Sequence, residues 1–170
     1  MKKIVISQDE TDKILTRARE CYPKEACGLI AGELTENGDA LIKKVYLLEN
    51  TDHAEDHFTM DPKEQLAAVK DMRANGLVQI GNWHSHPASL SRPSEEDIRL
   101  AYDRGATYMI ISLMKEDHPV LNAYHIEQDK HLVQYETIVI SDAASDAAPA
   151  SPVTVNEYPP CWDQDGNYTP

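Results

Sequence analysis

The chain has no run of apolar residues approaching the roughly 18 in succession that a membrane helix needs, so no membrane segment is expected. Its N-terminus, MKKIVISQDE, carries two lysines but only three consecutive apolar residues. That is too short for the apolar stretch of a secretory signal, and a cytoplasmic location is expected. Cationic residues are scarce: 16 Lys and Arg stand against 29 Asp and Glu, for a formal net charge of −13. This balance argues against nucleic acid as a partner, because neutralising phosphates needs clustered Lys and Arg. Cysteine is scarce too. Cys21, Cys27 and Cys161 form no CxxC pair and leave an odd one over, which fits a reducing compartment with Cys21 and Cys27 acting as small apolar residues. No internal repeat is visible.

What is present suits one domain, since 170 residues can build a single core but hardly two. Strand and helix patterns alternate. Residues 3–6 read as a strand, and Ser7-Gln8-Asp9-Glu10 has the capping-box form ahead of a helix whose apolar face holds Ile14, Leu15, Ala18, Cys21 and Tyr22. Pro23 ends that helix. Residues 28–34 and 40–48 read as a hairpin turned at Asn37-Gly38. Asp61-Pro62-Lys63-Glu64 opens a second helix that Gly76 stops. A strand over 77–84, a helix over 94–104 and strands over 107–114, 120–127 and 132–140 complete the pattern. The expectation is an α/β domain over residues 1–140. Residues 141–170 begin SDAASDAAPASP and hold five acidic residues with no Lys, Arg or His, so they read as a linker and acidic tail. Tyr158, Trp162 and Tyr168 either anchor that tail to a surface or lie in disordered chain.

The informative segment is Trp83-His84-Ser85-His86-Pro87, followed by Ser94-Glu95-Glu96-Asp97. Residues i and i+2 of a strand share a face about 6.5–7 Å apart, so two imidazoles can converge on one ion beyond the strand's end. A helix starting after the loop can bring Asp97 as a third ligand from its first turn. Two His, one carboxylate and an open position make a catalytic zinc site, not a closed structural one. Taken singly, each part has a plainer reading: a His-x-His pair is weak, and Ser94-x-x-Asp97 is also what a helix cap looks like. His53-Ala-Glu-Asp-His57 has neither HExxH nor HxxEH order and reads as a surface pair in a polar loop.

The string His84-x-His86-x7-Ser94-x2-Asp97 resembles, position for position, the metal motif of the JAMM (MPN+) metalloproteases. Pro23-Lys24-Glu25-Ala26-Cys27-Gly28-Leu29-Ile30-Ala31-Gly32 is similar to that family's upstream glutamate and Gly-bearing strand, and the likeness spans roughly residues 1–140. The resemblance implies a mixed β-sheet flanked by helices, of the cytidine-deaminase-like JAMM/MPN kind. It implies one Zn2+ per chain on His84, His86 and Asp97, with Glu25 as general base and Ser94 as hydrogen-bond donor to the oxyanion. It also implies cleavage after the C-terminal Gly-Gly of a ubiquitin-like or sulfur-carrier protein, whose extended tail would suit a strand edge beside the metal.

Two further readings stay open. The RadC group shares the His-x-His-Pro…Pro-Ser-x-x-Asp pattern and is associated with DNA repair, but the negative charge counts against it. A non-catalytic MPN scaffold would lack ligands, and none is missing. A zinc deaminase is disfavoured by the absence of its HxE…PCxxC signature. Oligomeric state is left undetermined.

Overall fold

The computed structural model describes residues 1–142 and 152–159. Strands β1 (Lys3–Ile6), β2 (Cys27–Leu34), β3 (Ala40–Leu48), β4 (Val78–His86), β5 (Thr107–Ser112), β6 (Val120–Glu127), β7 (Leu132–Ile140) and β8 (Thr154–Val155) form one sheet. Three helices accompany it: α1 (Gln8–Cys21), α2 (Pro62–Ala74) and α3 (Glu95–Arg99). The strand order is β5-β4-β2-β3-β1-β7-β6-β8, and β5 also pairs with β6, so the sheet closes on itself. It is mixed: β1 runs parallel to β3 and β7, β4 to β5 and β6 to β8, while the remaining pairs are antiparallel. The expected mixed sheet flanked by helices is the architecture found. No helix among the described residues is long and apolar enough to cross a membrane.

The local chemistry of the sequence sets these elements. Ser7 caps α1 by accepting from the Glu10 N–H at 3.2 Å. Glu10 turns outward to accept from Val45 N on β3 at 2.6 Å, tying the helix to the sheet. Ile14, Leu15 and Ala18 of α1 pack with inward side chains from β1 through β7 in the main core. Tyr22, expected on that face, sits past the helix end and is exposed. Asp61 caps α2 by accepting from Lys63 N and Glu64 N, and Gly76 follows the helix at φ +67°. Ala68 and Met72 of α2 cover a second cluster with Cys27, Leu29 and Tyr46.

The helix expected over 94–104 is shorter, Glu95–Arg99. The Asp103 carboxylate accepts from Gly105 N at 2.8 Å, a local bond that competes with helix continuation. Ile98 and Ala101 are the residues of this stretch that bury an apolar side chain, so little packing rewards a longer helix.

Part of the segment read as linker and tail adds to the sheet. Val120 and Leu121 of β6 pair with Thr154 and Val155, Val153 is buried in the main core, and Tyr158 stacks on Tyr135 at a centroid distance of 3.9 Å. Tyr158 thus anchors this stretch to the domain. Cys161, Trp162, Tyr168 and the Ala- and Ser-rich residues 143–151 lie outside the described residues.

One close approach positions the site. Trp83, fully buried, donates its indole N–H to the Tyr46 carbonyl at 3.1 Å, reaching across β2 to β3. It crosses at Gly28, where an added Cβ would lie 1.8 Å from the Tyr46 oxygen and 2.4 Å from Trp83 Nε1. Gly28→Ala is therefore expected to destabilise the fold by about 3 kcal/mol, the upper range for overpacking, as read by chemical denaturation. A midpoint equal to that of the parent would disprove the need for glycine here.

Candidate metal centre

Antiparallel pairing of β2 with β4 places Cys27 opposite His84. Just beyond, Ala26 and Ser85 lock the two chains together. Ser85 N donates to the Ala26 carbonyl at 2.9 Å, and Ala26 N donates to Ser85 Oγ at 2.7 Å. Glu25 is thereby carried to the end of β4 where His84 and His86 stand, and all three are buried. Both backbone groups of Glu25 are held by the polar loop after β3: its N–H donates to Ala54 O at 2.8 Å, and its carbonyl accepts from Asn50 Nδ2 at 3.1 Å.

The ligating atoms of Glu25, His84 and His86 lie within 4.8 Å of one another, a group able to hold a metal ion. Asp97 closes the site from the other side. Its Oδ2 lies 3.3 Å from His84 Nε2 and 3.2 Å from His86 Nε2, and the two Nε2 atoms are 3.0 Å apart. Hydrogen bonds cannot satisfy such a triangle, because each ring nitrogen directs one proton or one lone pair in the ring plane and so addresses one neighbour. A tetrahedron with metal bonds of about 2.0–2.1 Å has edges of roughly 3.3–3.4 Å, so these three atoms fit around one ion.

Each member is oriented from outside the triangle. The His86 Nδ1 is 2.9 Å from the Leu90 carbonyl, which can only accept; Nδ1 therefore carries a proton, and Nε2 is the nitrogen left to face the triangle. His84 stacks on Phe58 at 4.7 Å. Ser94 and Asp97 form the capping box expected at the start of α3: Ser94 Oγ accepts from Asp97 N at 3.0 Å, and Asp97 Oδ2 accepts from Ser94 N at 2.8 Å. The cap and the site are thus one device, since the bond that starts α3 also aims Oδ2 at the imidazoles.

Burial penalises the Asp97 charge, but the His84 and His86 imidazoles outweigh it and hold the carboxyl well below the usual carboxylate range. Glu25 goes the other way. Burial first, then the charges of Asp97, Asp56 and Glu96, push it up to about 9, and its Oε2 has no hydrogen-bond partner among the described residues. An unpaired buried carboxyl oxygen facing a two-histidine cluster suits a proton acceptor. The Cys27 thiol, buried and pushed up to about 12, chiefly by burial, is no nucleophile at neutral pH.

All five residues singled out from the sequence, Glu25, His84, His86, Ser94 and Asp97, come together here. The sequence pattern did not mark Asn50, Phe58 or Ser85. Asn50 spends its whole side chain on the loop, donating to Glu25 O and His57 O and accepting from Asp52 N and Thr59 N. No spacing announces such a role. His53 and His57 stay exposed, as a surface pair would, but His57 and Phe58 also line a cavity of about 170 Å³ beside His84, with Asn82, Leu100 and Tyr108. Asn82 was findable in principle, lying on the ligand face two residues before His84. The histidine-bearing strand β4 offers no free edge of its own among the described residues, because it is paired along both sides, by β2 and β5. The opening there is this cavity instead.

Residues 7–127 match the family model described as prokaryotic homologs of the JAB domain. Over 123 residues, 72% of this chain and 82% of the relative, the chain is 28% identical to a Mycobacterium tuberculosis protein named CysO-cysteine peptidase. It is 34% identical over 74 residues, 44% of this chain and 49% of the relative, to a Pyrococcus furiosus protein named desampylase. A solution structure of a Desulfitobacterium hafniense protein is 45% identical, with a TM-score of 0.74 over 81% of this chain and 92% of that one.

The Glu25 carboxyl generates a pH prediction for the protein held in chelator. The folded chain binds that proton up to about 9, whereas an unfolded carboxyl releases it near 4.5, so stability contributed by the protonated group is lost as pH rises between the two. Glu25→Gln should accordingly raise the melting temperature at pH 8 and leave it nearly unchanged at pH 4. An equal shift at both values would contradict the raised pKa.

Proposed function

The chain belongs to the prokaryotic JAB-domain family, and from that premise we propose that it is a zinc-dependent peptidase or isopeptidase cutting after the C-terminal Gly-Gly of a ubiquitin-like or sulfur-carrier protein. The names of its relatives support a substrate of this class. The observation that carries the reading is the triangle of His84 Nε2, His86 Nε2 and Asp97 Oδ2, with separations of 3.0, 3.3 and 3.2 Å.

In this reading His84, His86 and Asp97 hold one zinc ion, and Glu25 stands clear of the ligand set. A zinc ion bound there supplies Lewis acidity to a water and to the scissile carbonyl. Glu25 Oε2, unpaired and buried, accepts the proton of the attacking water and passes it to the leaving amine. A cation held by the three ligands would lower the Glu25 pKa from the value of about 9 that burial gives it, which would let the carboxyl release as well as take a proton. Ser94 Oγ accepts from Asp97 N, which leaves its own proton free to donate to the developing oxyanion. Phe58 on one face of His84 and the loop tied by Asn50 keep water off the imidazole and off the Glu25 backbone.

The three roles separate by substitution. Glu25→Gln should keep about one zinc per chain while turnover falls by about 10²–10⁴-fold, the usual contribution of a general base; full turnover would remove Glu25 from the mechanism. Asp97→Ala should lose zinc and activity together, and an intact zinc complement would refute its role as ligand. The substrate class is tested by incubating the protein with ubiquitin-like carriers from its own genome that bear C-terminal adducts. Mass spectrometry should find carriers ending in Gly-Gly; adducts left intact by the zinc-loaded protein would refute the assignment.

A further inference from the structure

The histidine that closes the metal triangle is not held by its own strand alone. His86 is the last residue of β4, and its Nδ1 donates to the Leu90 carbonyl of the loop that follows. That loop is exposed at residues 88–90 and gains its position at the next residue, Ser91, which is buried. Ser91 Oγ donates to Ile110 O on β5 at 2.6 Å. The Ser91 carbonyl accepts from two side chains on one face of β6: the Tyr124 hydroxyl, and Asn122 Nδ2 at 3.0 Å.

Both of those β6 side chains also grip the C-terminal stretch 152–159. The second proton of Asn122 Nδ2 goes to the Glu157 carbonyl at 2.8 Å, and the Tyr124 ring meets Tyr158 edge-on at a centroid distance of 6.0 Å. Because the Ser91 and Glu157 carbonyls can only accept, the amide nitrogen must face them. Asn122 and Tyr124 are fully buried. The stretch is also secured just before Glu157 by Asn156, whose side chain takes the place of a strand neighbour. Asn156 Oδ1 accepts from Ile138 N and Nδ2 donates to Ile138 O, each at 2.8 Å.

We infer that residues 152–159 form a strap that positions His86, with Asn122 as the positioning residue that couples strap to ligand through Ser91 and Leu90. The inference rests on the reading of His86 as a metal ligand. The physical reason is directional. The imidazole plane follows the Leu90 carbonyl, and that carbonyl follows a loop whose anchor is shared with the strap. Loosening the strap leaves Asn122 with one carbonyl instead of two and lets the loop rotate the ring off the tetrahedral edge. Partners that orient a ligating histidine affect metal affinity by about 10–100-fold, and Asn122 acts one link further out.

The experiment uses the full chain and reads zinc affinity by competition with a chromophoric chelator, together with the visible absorption of the cobalt(II) form. Asn122→Ala should weaken zinc by about tenfold and alter the cobalt bands, which a loss of general stability would not do. Asn156→Gly tests the same link from a distance and keeps the protein folded, since Asn156 sits at φ +59°, a conformation that suits glycine. It should shift zinc affinity in the same direction, and it decides the matter if Asn122→Ala does not fold. Zinc affinity within twofold of the parent and unchanged cobalt bands in every folded variant would overturn the strap's role, even with a lower melting temperature. His86→Ala separates the two ideas. If it loses zinc while the strap variants keep it, the strap inference alone fails. If it binds zinc like the parent, the ligand assignment fails and the strap inference falls with it.

Discussion

The molecule depends on the pairing of β2 with β4. Opposing Cys27 to His84 puts a glutamate from one end of the sequence beside two histidines from its middle, with the Ala26–Ser85 exchange sealing the junction. That register is not free to slip. A shift of one residue would turn the histidines to the other face. It would also break the bond from Trp83 to Tyr46 that threads past Gly28. A buried indole, a missing Cβ and a carbonyl two strands over thus set where the chemistry sits.

Around that register the buried charges sort themselves into two kinds. Asp97 enters the site with two imidazoles and a backbone N–H on one oxygen, and stays ionised despite its burial. Glu25 arrives with no partner for one oxygen among the described residues and other carboxylates nearby, and holds its proton. Two acids within one pocket therefore have opposite proton affinities, set by what each faces. This is the arrangement expected where one carboxylate binds a cation and the other handles a proton.

The closed sheet has consequences for how a substrate would approach. With β4 paired along both sides, the opening found beside the ligands among the described residues is the cavity walled by Phe58, Asn82, Leu100 and Tyr108. Besides strands β4, β5 and β6, the wall draws on the loop after β3 and the short helix α3. Both are secured by side-chain hydrogen bonds, through Asn50 on one side and the Ser94–Asp97 box on the other, and α3 also by the buried Ile98.

Much of this was legible in the sequence because its signals are local. Strand alternation and helix caps act over two to four residues, so β1, β3, β6, β7 and both long helices fall where the pattern puts them. The His84, His86, Ser94 and Asp97 spacing is local as well, spanning one strand end, one loop and one helical turn. Where a local bond opposed the pattern, as Asp103 does after α3, the pattern overran. Three things had no local signal. The union of Glu25 with the histidines is a pairing across 59 residues, from Ala26 to Ser85. The roles of Asn50 and Asn122 arise from carbonyls contributed by distant loops. The strap lies in sequence whose composition reads as linker, and it becomes part of the sheet because β6 offers unpaired backbone at Val120 and Leu121. The sequence by itself determined which residues could bind an ion and which elements would carry them. Only the tertiary structure decided which acid stays charged, which nitrogen faces inward and what holds it there, because those depend on neighbours that the chain brings together only when folded.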